Sequence, residues 1–292
     1  MVDKGNPQEK HVSFVRSSID ASRQKLLREI SGSPDVTFVS HLLGNMGDYL
    51  IHAGTRQLLS GTFYEEARFR WSKEAIVSGH RRGADIRGLR GVRGHTALVT
   101  GGGGWCGPHH RTMPTVLPLI ERRFEKVIVL PSSVDTSVVK VRKALARTNA
   151  LVFARERESY RQLQELCKTD IAHDCAFFFD FGPYRRRGKG LLTAYRTDAE
   201  STSHGETPPG NNDVSVSCKS LDEWLWTIAR HEVVETDRAH VMIAAAMLGK
   251  KVRYQASNYH KVPAIAEYTL EGFPVERLDA SYPSSYSGIH NY

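Results

Sequence analysis

Short apolar runs, each emptying into a glycine or polar turn, alternate along the chain with longer stretches whose apolar positions recur every three or four residues. The first pattern predicts buried strands and the second predicts amphipathic helices. Strands are expected at 35–40, 96–100, 127–130 and 150–154, with Ile171 to Phe177 closing a first half. Helices are expected at 19–30, 49–59 and 156–167, the last with Tyr160, Leu163 and Leu166 on one side. A polar stretch from Gly182 to Gly190, carrying Arg185-Arg186-Arg187, then reads as a linker. Beyond it the alternation resumes: a strand at 191–196, a polar loop at 200–212, a helix at 221–230, a strand from Val233, a helix ending at Leu248, a strand at 251–254 and a helix at 264–270. Strands alternating with helices argue for parallel sheets with crossover helices. The expected architecture is α/β: an N-terminal extension (1–34), a first Rossmann-like domain (35–181) and a second (182–292).

Two glycine-bearing turns interrupt the first half. Gly44-Asn45-Met46-Gly47-Asp48 joins a strand to a helix, with Asp48 as a candidate N-cap. Gly101-Gly102-Gly103-Gly104 is expected to be a loop, since glycine is costly inside a helix or strand, and to let a ligand or another backbone approach closely. Neither turn has the spacing of a dinucleotide fingerprint or a P-loop, and no Gly-x-Ser-x-Gly elbow occurs. Hydride transfer, P-loop chemistry and α/β-hydrolase chemistry are therefore unsupported.

The densest chemistry lies at Thr236-Asp237-Arg238-Ala239-His240, between the strand from Val233 and the apolar helix stopped by Gly249. Thr236 or Asp237 suits the N-cap, which puts Arg238 and His240 in the first helical turn. Two basic side chains beside the positive end of a helix dipole carry an electrostatic cost unless an anion sits there. The alternatives are an Arg238 paired with a nearby carboxylate and a His240 satisfied in the core. Arg155 also ends a strand; it either pairs with Glu156 or Glu158 or turns its planar fork into a cleft. Asn45 and Asp48 are candidate contacts for sugar hydroxyls. Gly102, Gly103, Asp237 and Lys261 are further candidate substrate-binding residues, with a solvated side chain as the alternative for Lys261.

Charge and cysteine content refine this only slightly. Forty Lys and Arg against thirty-two Asp and Glu give a net charge of +8, favouring anionic ligands or surfaces. No nucleic-acid motif accompanies that excess. Cys106, Cys167, Cys175 and Cys218 are scattered without metal-ligand spacing, and adjacent His109 and His110 beside Cys106 make a poor metal site. No signal-like N-terminus or membrane-spanning run appears, so the expected location is cytoplasmic, and the positive charge would suit the inner face of an anionic membrane.

In order along the chain, Gly44-Asn45-x-Gly47-Asp48, the glycine run at 101–104, Arg155-Glu156-x-Glu158-Ser159, Asp174-x-Ala176-Phe177, and Thr236-Asp237-Arg238-x-His240 with Gly249-Lys250-Lys251-Val252 resemble the polysaccharide pyruvyl transferase family. The resemblance implies a GT-B-like fold of two Rossmann-like domains facing a cleft. It also implies transfer of pyruvate from phosphoenolpyruvate onto two hydroxyls of a sugar or oligosaccharide, in exopolysaccharide or cell-surface glycan synthesis. Phosphoenolpyruvate is a donor substrate, and no cofactor or metal is implied. The family's donor residues fall on Arg155, Arg238 and His240, with His240 as general acid or phosphate stabiliser. Pro131-Ser132-Ser133 lacks a glutamine common in the family, and the C-terminal half is short. Competing expectations are a glycosyltransferase with a nucleotide-sugar donor and a non-catalytic sugar or anion binder. Oligomeric state leaves no mark in the sequence.

Overall fold

A computed structural model describes residues 7–42, 44–71, 84–85, 87–107, 110–198, 201, 207–256 and 260–278. The chain divides into two compact units, Met1–Asp180 and Phe181–Tyr292.

The first unit is built on strands β1 (Val36–Leu42), β2 (Glu65–Trp71), β3 (Ala84–Asp85), β4 (Gly94–Val99), β5 (Gly102–Trp105), β6 (Phe124–Val134), β7 (Leu151–Ala154) and β8 (Thr169–Ile171). They lie in the order β3-β2-β1-β4-β6-β7-β8, with β5 also on β6, and β2–β3 is the antiparallel pair. Helices α2 (Met46–Leu58), α3 (Met113–Glu121), α4 (Val139–Leu145) and α5 (Arg157–Gln164) make the crossovers. Strands covered on both faces must be apolar nearly throughout, and Phe38, Val39, Leu98, Val99, Ile128, Val129, Val152 and Phe153 are all buried. The chain steps outward from β1 to β2, then returns to place β4 on the other side of β1. That reversal is where open α/β sheets bind ligands. Both glycine-bearing turns leave strands that flank it.

Helix α1 (Pro7–Ile30), which the sequence sets apart as an extension, belongs to this unit. Val15, Ile19, Leu26 and Ile30 bury one stripe of it, and Lys25 Nζ donates to the Ile171 carbonyl at 2.9 Å and to Asp170 at 2.8 Å.

The expectation of a loop at the glycine run needs correction, because Gly102–Gly104 lie inside β5. Strand β6 outruns β4, and β5 continues along the same edge with Gly102 opposite Ser132 and Trp105 opposite Val134. A Cβ on Gly101 would stand 2.3 Å from the Pro131 carbonyl oxygen, and Gly102 has φ +112°. Glycine is required there by a neighbouring backbone. Pro131-Ser132-Ser133 is likewise strand, at a register shift against β7 that accommodates the proline.

Helix α2 lies close to the turn Cys175–Phe178, where a Cβ on Gly54 would come within 1.9 Å of the Cys175 carbonyl oxygen. The obstacle is backbone and cannot swing aside. Gly54→Ala is therefore expected to cost roughly 1–3 kcal/mol of stability, read as a lower urea midpoint. An unchanged midpoint would mean that the two segments do not touch.

His52 and His173 are buried in this unit without charge. Burial pulls His52 down to about 3, with the neighbouring His41 adding to the effect, and burial pulls His173 down to about 4. Because both folded values lie below the unfolded one, the unfolded chain binds more protons between pH 6.5 and 4, and stability falls as pH drops through that window. Each group contributes a slope on the order of 1.4 kcal/mol per pH unit at most. Denaturation midpoints at pH 7 and pH 5 should differ accordingly; equal midpoints would contradict buried neutral imidazoles.

The second unit contains β9 (Leu191–Ala194), α6 (Val214–Ser217), α7 (Leu221–Ala229), β10 (Val233–Thr236), α8 (Ala239–Met247), β11 (Lys251–Tyr254), α9 (Lys261–Thr269) and β12 (Val275–Arg277). Its four strands are all parallel and lie in chain order, β12-β11-β10-β9. Helix α8 packs against both α7 and α9. Burial alternates along the strands: Leu192, Ala194, Val234, Thr236, Val252 and Tyr254 are buried, while Leu191, Lys251 and Arg253 are exposed. One face is covered and the other is polar, with Arg253 bridging Glu235 and Glu276. No reversal of strand order occurs among the described residues, so topology alone does not mark a site here. Helix α8 closes as the sequence suggests: Gly249 at φ +75° lets Lys250 N reach the Ala245 carbonyl at 2.9 Å. Lys250 itself turns inward and donates to the carbonyls of Arg186 and Ala229.

Candidate active site

In each unit the informative side chains stand just beyond the C-terminal ends of parallel strands. In the first unit, Asn45 caps α2: its Oδ1 accepts from Gly47 N at 2.8 Å, and Asp48 Oδ2 accepts from Asn45 N at 2.9 Å. The N-cap is thus Asn45, with Asp48 as the reciprocal member of a capping box, which corrects the sequence assignment. A Cβ on Gly44 would lie 2.4 Å from Asp48 Oδ2, so this turn closes only around glycine. Asn45 is exposed and Asp48 half-buried. His41, at the end of β1, places Nε2 3.7 Å from Asp48 Oδ2 and meets His52 edge-on at 4.8 Å; neither histidine drew notice in the sequence. Gly102 is buried and Gly103 half-buried beside β6.

Arg155 follows β7 and is wholly enclosed, with 0% side-chain exposure. Its Nε donates to Ser133 Oγ at 2.8 Å and its Nη1 to Asp174 Oδ2 at 2.8 Å. The carboxylate it meets is Asp174, a partner the sequence did not suggest, and the guanidinium has no exposed surface. Glu156 instead caps α5 by accepting from Ser159 N, and Ser159 Oγ accepts from Val134 N. Asp174 also accepts from Ala176 N. The Arg-Glu-x-x-Ser motif therefore fastens the ends of β6, β7 and β8 to one another.

In the second unit the site gathers where β9 and β10 end. The helix begins at Ala239, so Arg238 occupies the cap position and His240 is the second helical residue, half-buried. Thr236 does not cap through a standard side-chain bond to the helix; its Oγ1 donates to the Ala194 carbonyl and accepts from Arg238 N at 3.0 Å. Asp237, expected to touch substrate, accepts from Arg196 N at 2.8 Å and ties the two strand ends together; burial pushes its carboxyl above the ordinary range. Arg238 is gripped side-on by Asp213, Nε to Oδ1 at 2.7 Å and Nη2 to Oδ2 at 2.6 Å. Asp213 is held in turn by Thr197 N and Oγ1. Beyond Asp213, Arg196 and Asp198 complete, among the described residues, a cluster of two arginines and three aspartates. Arg196, Asp198 and Asp213 were not singled out from the sequence. One signal was available, since Arg196 follows a strand just as Arg155 and Arg238 do.

Lys261 opens α9 and is buried, which removes the solvated alternative; Tyr259, two positions before it, lies outside the described residues. Cys106 Sγ and His110 Nδ1 each contact main-chain carbonyls, and His109 lies outside the described residues. Among the described residues no group of three or more metal-ligating side chains occurs, and no helix is long and apolar enough to cross a membrane. A groove of about 640 Å³ runs between α3 and α4, lined by Pro114, Pro118, Lys140, Lys143 and Arg147; none of these residues follows a strand end.

The family described as polysaccharide pyruvyl transferase matches residues 45–254, well over half of the chain. The chain belongs to that family. The match opens on the cap of α2 and ends at the last residue of β11, so the transferase carries the Asn45–Asp48 turn, the glycine run, Arg155, Arg238 and His240 within it, and Lys261 beyond it. A solved structure of a functionally uncharacterized protein from Klebsiella pneumoniae subsp. pneumoniae NTUH-K2044 is similar in fold, with a TM-score of 0.66 at 20% identity over 90% of this chain and 99% of that one. No protein of curated function matches the transferase.

Proposed function

We infer that this transferase takes phosphoenolpyruvate as donor and converts two hydroxyls of a sugar into a pyruvate ketal, releasing phosphate. The observation that carries the reading is the Arg238-x-His240 pair at the start of a buried, rigid helix, within a chain of the pyruvyl transferase family. Phosphoenolpyruvate bears a carboxylate and a phosphate, and guanidinium groups recognise both in the same fork geometry. Asp213 fixes the guanidinium of Arg238 in place before any ligand arrives, which lowers the entropic cost of binding.

In the reaction, a proton is added to the methylene carbon and leaves the adjacent carbon electrophilic. One sugar hydroxyl attacks it, phosphate departs, and the second hydroxyl closes the ketal. The two hydroxyl protons balance the one on the new methyl group and the one leaving with phosphate. His240 supplies the first proton or steadies the departing phosphate. In this reading Arg155 positions the strand ends of the first unit. The acceptor belongs to exopolysaccharide or cell-surface glycan synthesis, in lipid-linked or soluble form.

The test is phosphorus NMR of phosphoenolpyruvate with the transferase and a panel of hexosides bearing neighbouring hydroxyl pairs. Acceptor-dependent inorganic phosphate together with an acid-labile pyruvate on the sugar is expected. Phosphate release that ignores the acceptor, or a nucleotide sugar consumed in its place, would contradict the reading.

A further inference from the structure

We propose that Arg196 is a second anion-binding arginine of the donor site, and that the Asp198 carboxylate is an internal stand-in for the ligand, occupying its place until displaced. The inference rests on the reading of the Arg238 site as the place where an anionic donor binds, and it adds a residue and a competitor to that site.

Arg196 and Arg238 are equivalent in the sheet. Ala194 pairs with Thr236 across β9 and β10, and each arginine stands two residues further along its own strand. Both are nearly enclosed, at 4% and 6% exposure, whereas the Asp198 side chain is 44% exposed. Asp213 holds Arg238 along the Nε–Nη2 edge, and Nη1 makes no hydrogen bond among the described residues. The outward end of the fork therefore points toward Asp198, whose Oδ2 accepts from Arg238 Nη2 at 3.0 Å. The same Oδ2 accepts from Arg196 Nη2 at 3.1 Å, while Oδ1 accepts from Arg196 Nε at 2.7 Å. One carboxylate thus sits in the side-on fork of one arginine and against the end of another. A ligand carboxylate or phosphate would adopt that position.

Burial decides which group gives way. A buried guanidinium stripped of its partner has no water to replace it, whereas an exposed carboxylate is readily solvated when it swings out. Electrostatics point the same way. Among the described residues Arg196 and Arg238 lie with Asp198, Asp213 and Asp237, so with every carboxylate ionised the cluster carries one net negative charge with Asp198 in place and none once it leaves. An incoming anion therefore meets a neutral site only by exchanging with Asp198. A weak monoanion gains little from that exchange, because it replaces one carboxylate by its equal. A ligand with a dianionic phosphate, or with phosphate and carboxylate together, gains more. The device selects for highly charged donors at the expense of absolute affinity.

Calorimetric titration with phosphoenolpyruvate and, separately, inorganic phosphate tests this on the wild type, Asp198→Asn and Arg196→Gln, at fixed ionic strength. Asp198→Asn keeps the shape of the side chain and removes its charge, so it should bind both anions more tightly, by roughly tenfold. Arg196→Gln should weaken both by roughly tenfold or more. Melting temperatures of the variants separate lost binding from lost fold. Unchanged or weaker binding by Asp198→Asn, or wild-type affinity in a folded Arg196→Gln, overturns the proposal. If phosphoenolpyruvate binds the wild type and Asp198→Asn brings no gain, the stand-in fails while the donor reading survives. If phosphate binds with the expected pattern and phosphoenolpyruvate binds nowhere, the donor reading fails and the anion site survives. Absence of any anion binding in all three proteins overturns both.

Discussion

Asp174→Ala should cost the first unit roughly 3–5 kcal/mol, the scale for breaking a buried ion pair by removing one partner. The Arg155 and Asp174 side chains are 0% and 1% exposed and lie 2.8 Å apart, so the stranded guanidinium has no route to solvent. Asp174 also accepts from Ala176 N, and that contact is lost with it. Replacing both partners by an apolar pair, Arg155→Met with Asp174→Leu, should recover much of the loss, since neither charge is left buried without the other. Guanidinium denaturation of the two variants checks this. A single variant within about 1 kcal/mol of wild type would show that the pair is wetter than its geometry implies.

The largest expected effect on turnover is that of His240→Ala. A positioned general acid contributes about a hundredfold to ten-thousandfold, and loss on that order is expected with phosphoenolpyruvate bound near its wild-type affinity. The variant should also change the shape of the pH–rate profile. Full activity with an unaltered profile would remove His240 from the chemistry.

Arg155, Arg238 and the turn at Gly44–Asp48 were legible in the sequence because each directly follows a compact apolar run, and a strand end is where polar groups meet a ligand in parallel sheets. Their partners were not. Arg155 meets Asp174, Arg238 meets Asp213, and Arg196 N meets Asp237, pairs separated by 19, 25 and 41 positions. Such pairings are set by which strands lie side by side, and a local pattern carries no information on that. The same limit explains the glycine run. Its composition argues against a strand in isolation, yet the overhanging β6 supplies the hydrogen bonds, and the nearness of Pro131 makes glycine necessary. Strand β2 was missed for another reason: its charged residues, Glu65, Glu66 and Arg68, obscure the alternation that buries Ala67 and Phe69. The parallel α/β class needed no pairing information, because alternating runs of strand and helix length imply crossovers by themselves.

Thermal melting with phosphoenolpyruvate, in wild type and in Arg238→Gln, bears most directly on the central claim that this transferase holds an anionic donor on Arg238. Saturation at about a hundred times Kd stabilises a binding-competent protein by about 2.7 kcal/mol, which raises its melting temperature. The wild type should show that rise, and Arg238→Gln, measured against its own ligand-free baseline, should show none. A wild type indifferent to phosphoenolpyruvate, or a variant that rises as far as the wild type, would contradict the account.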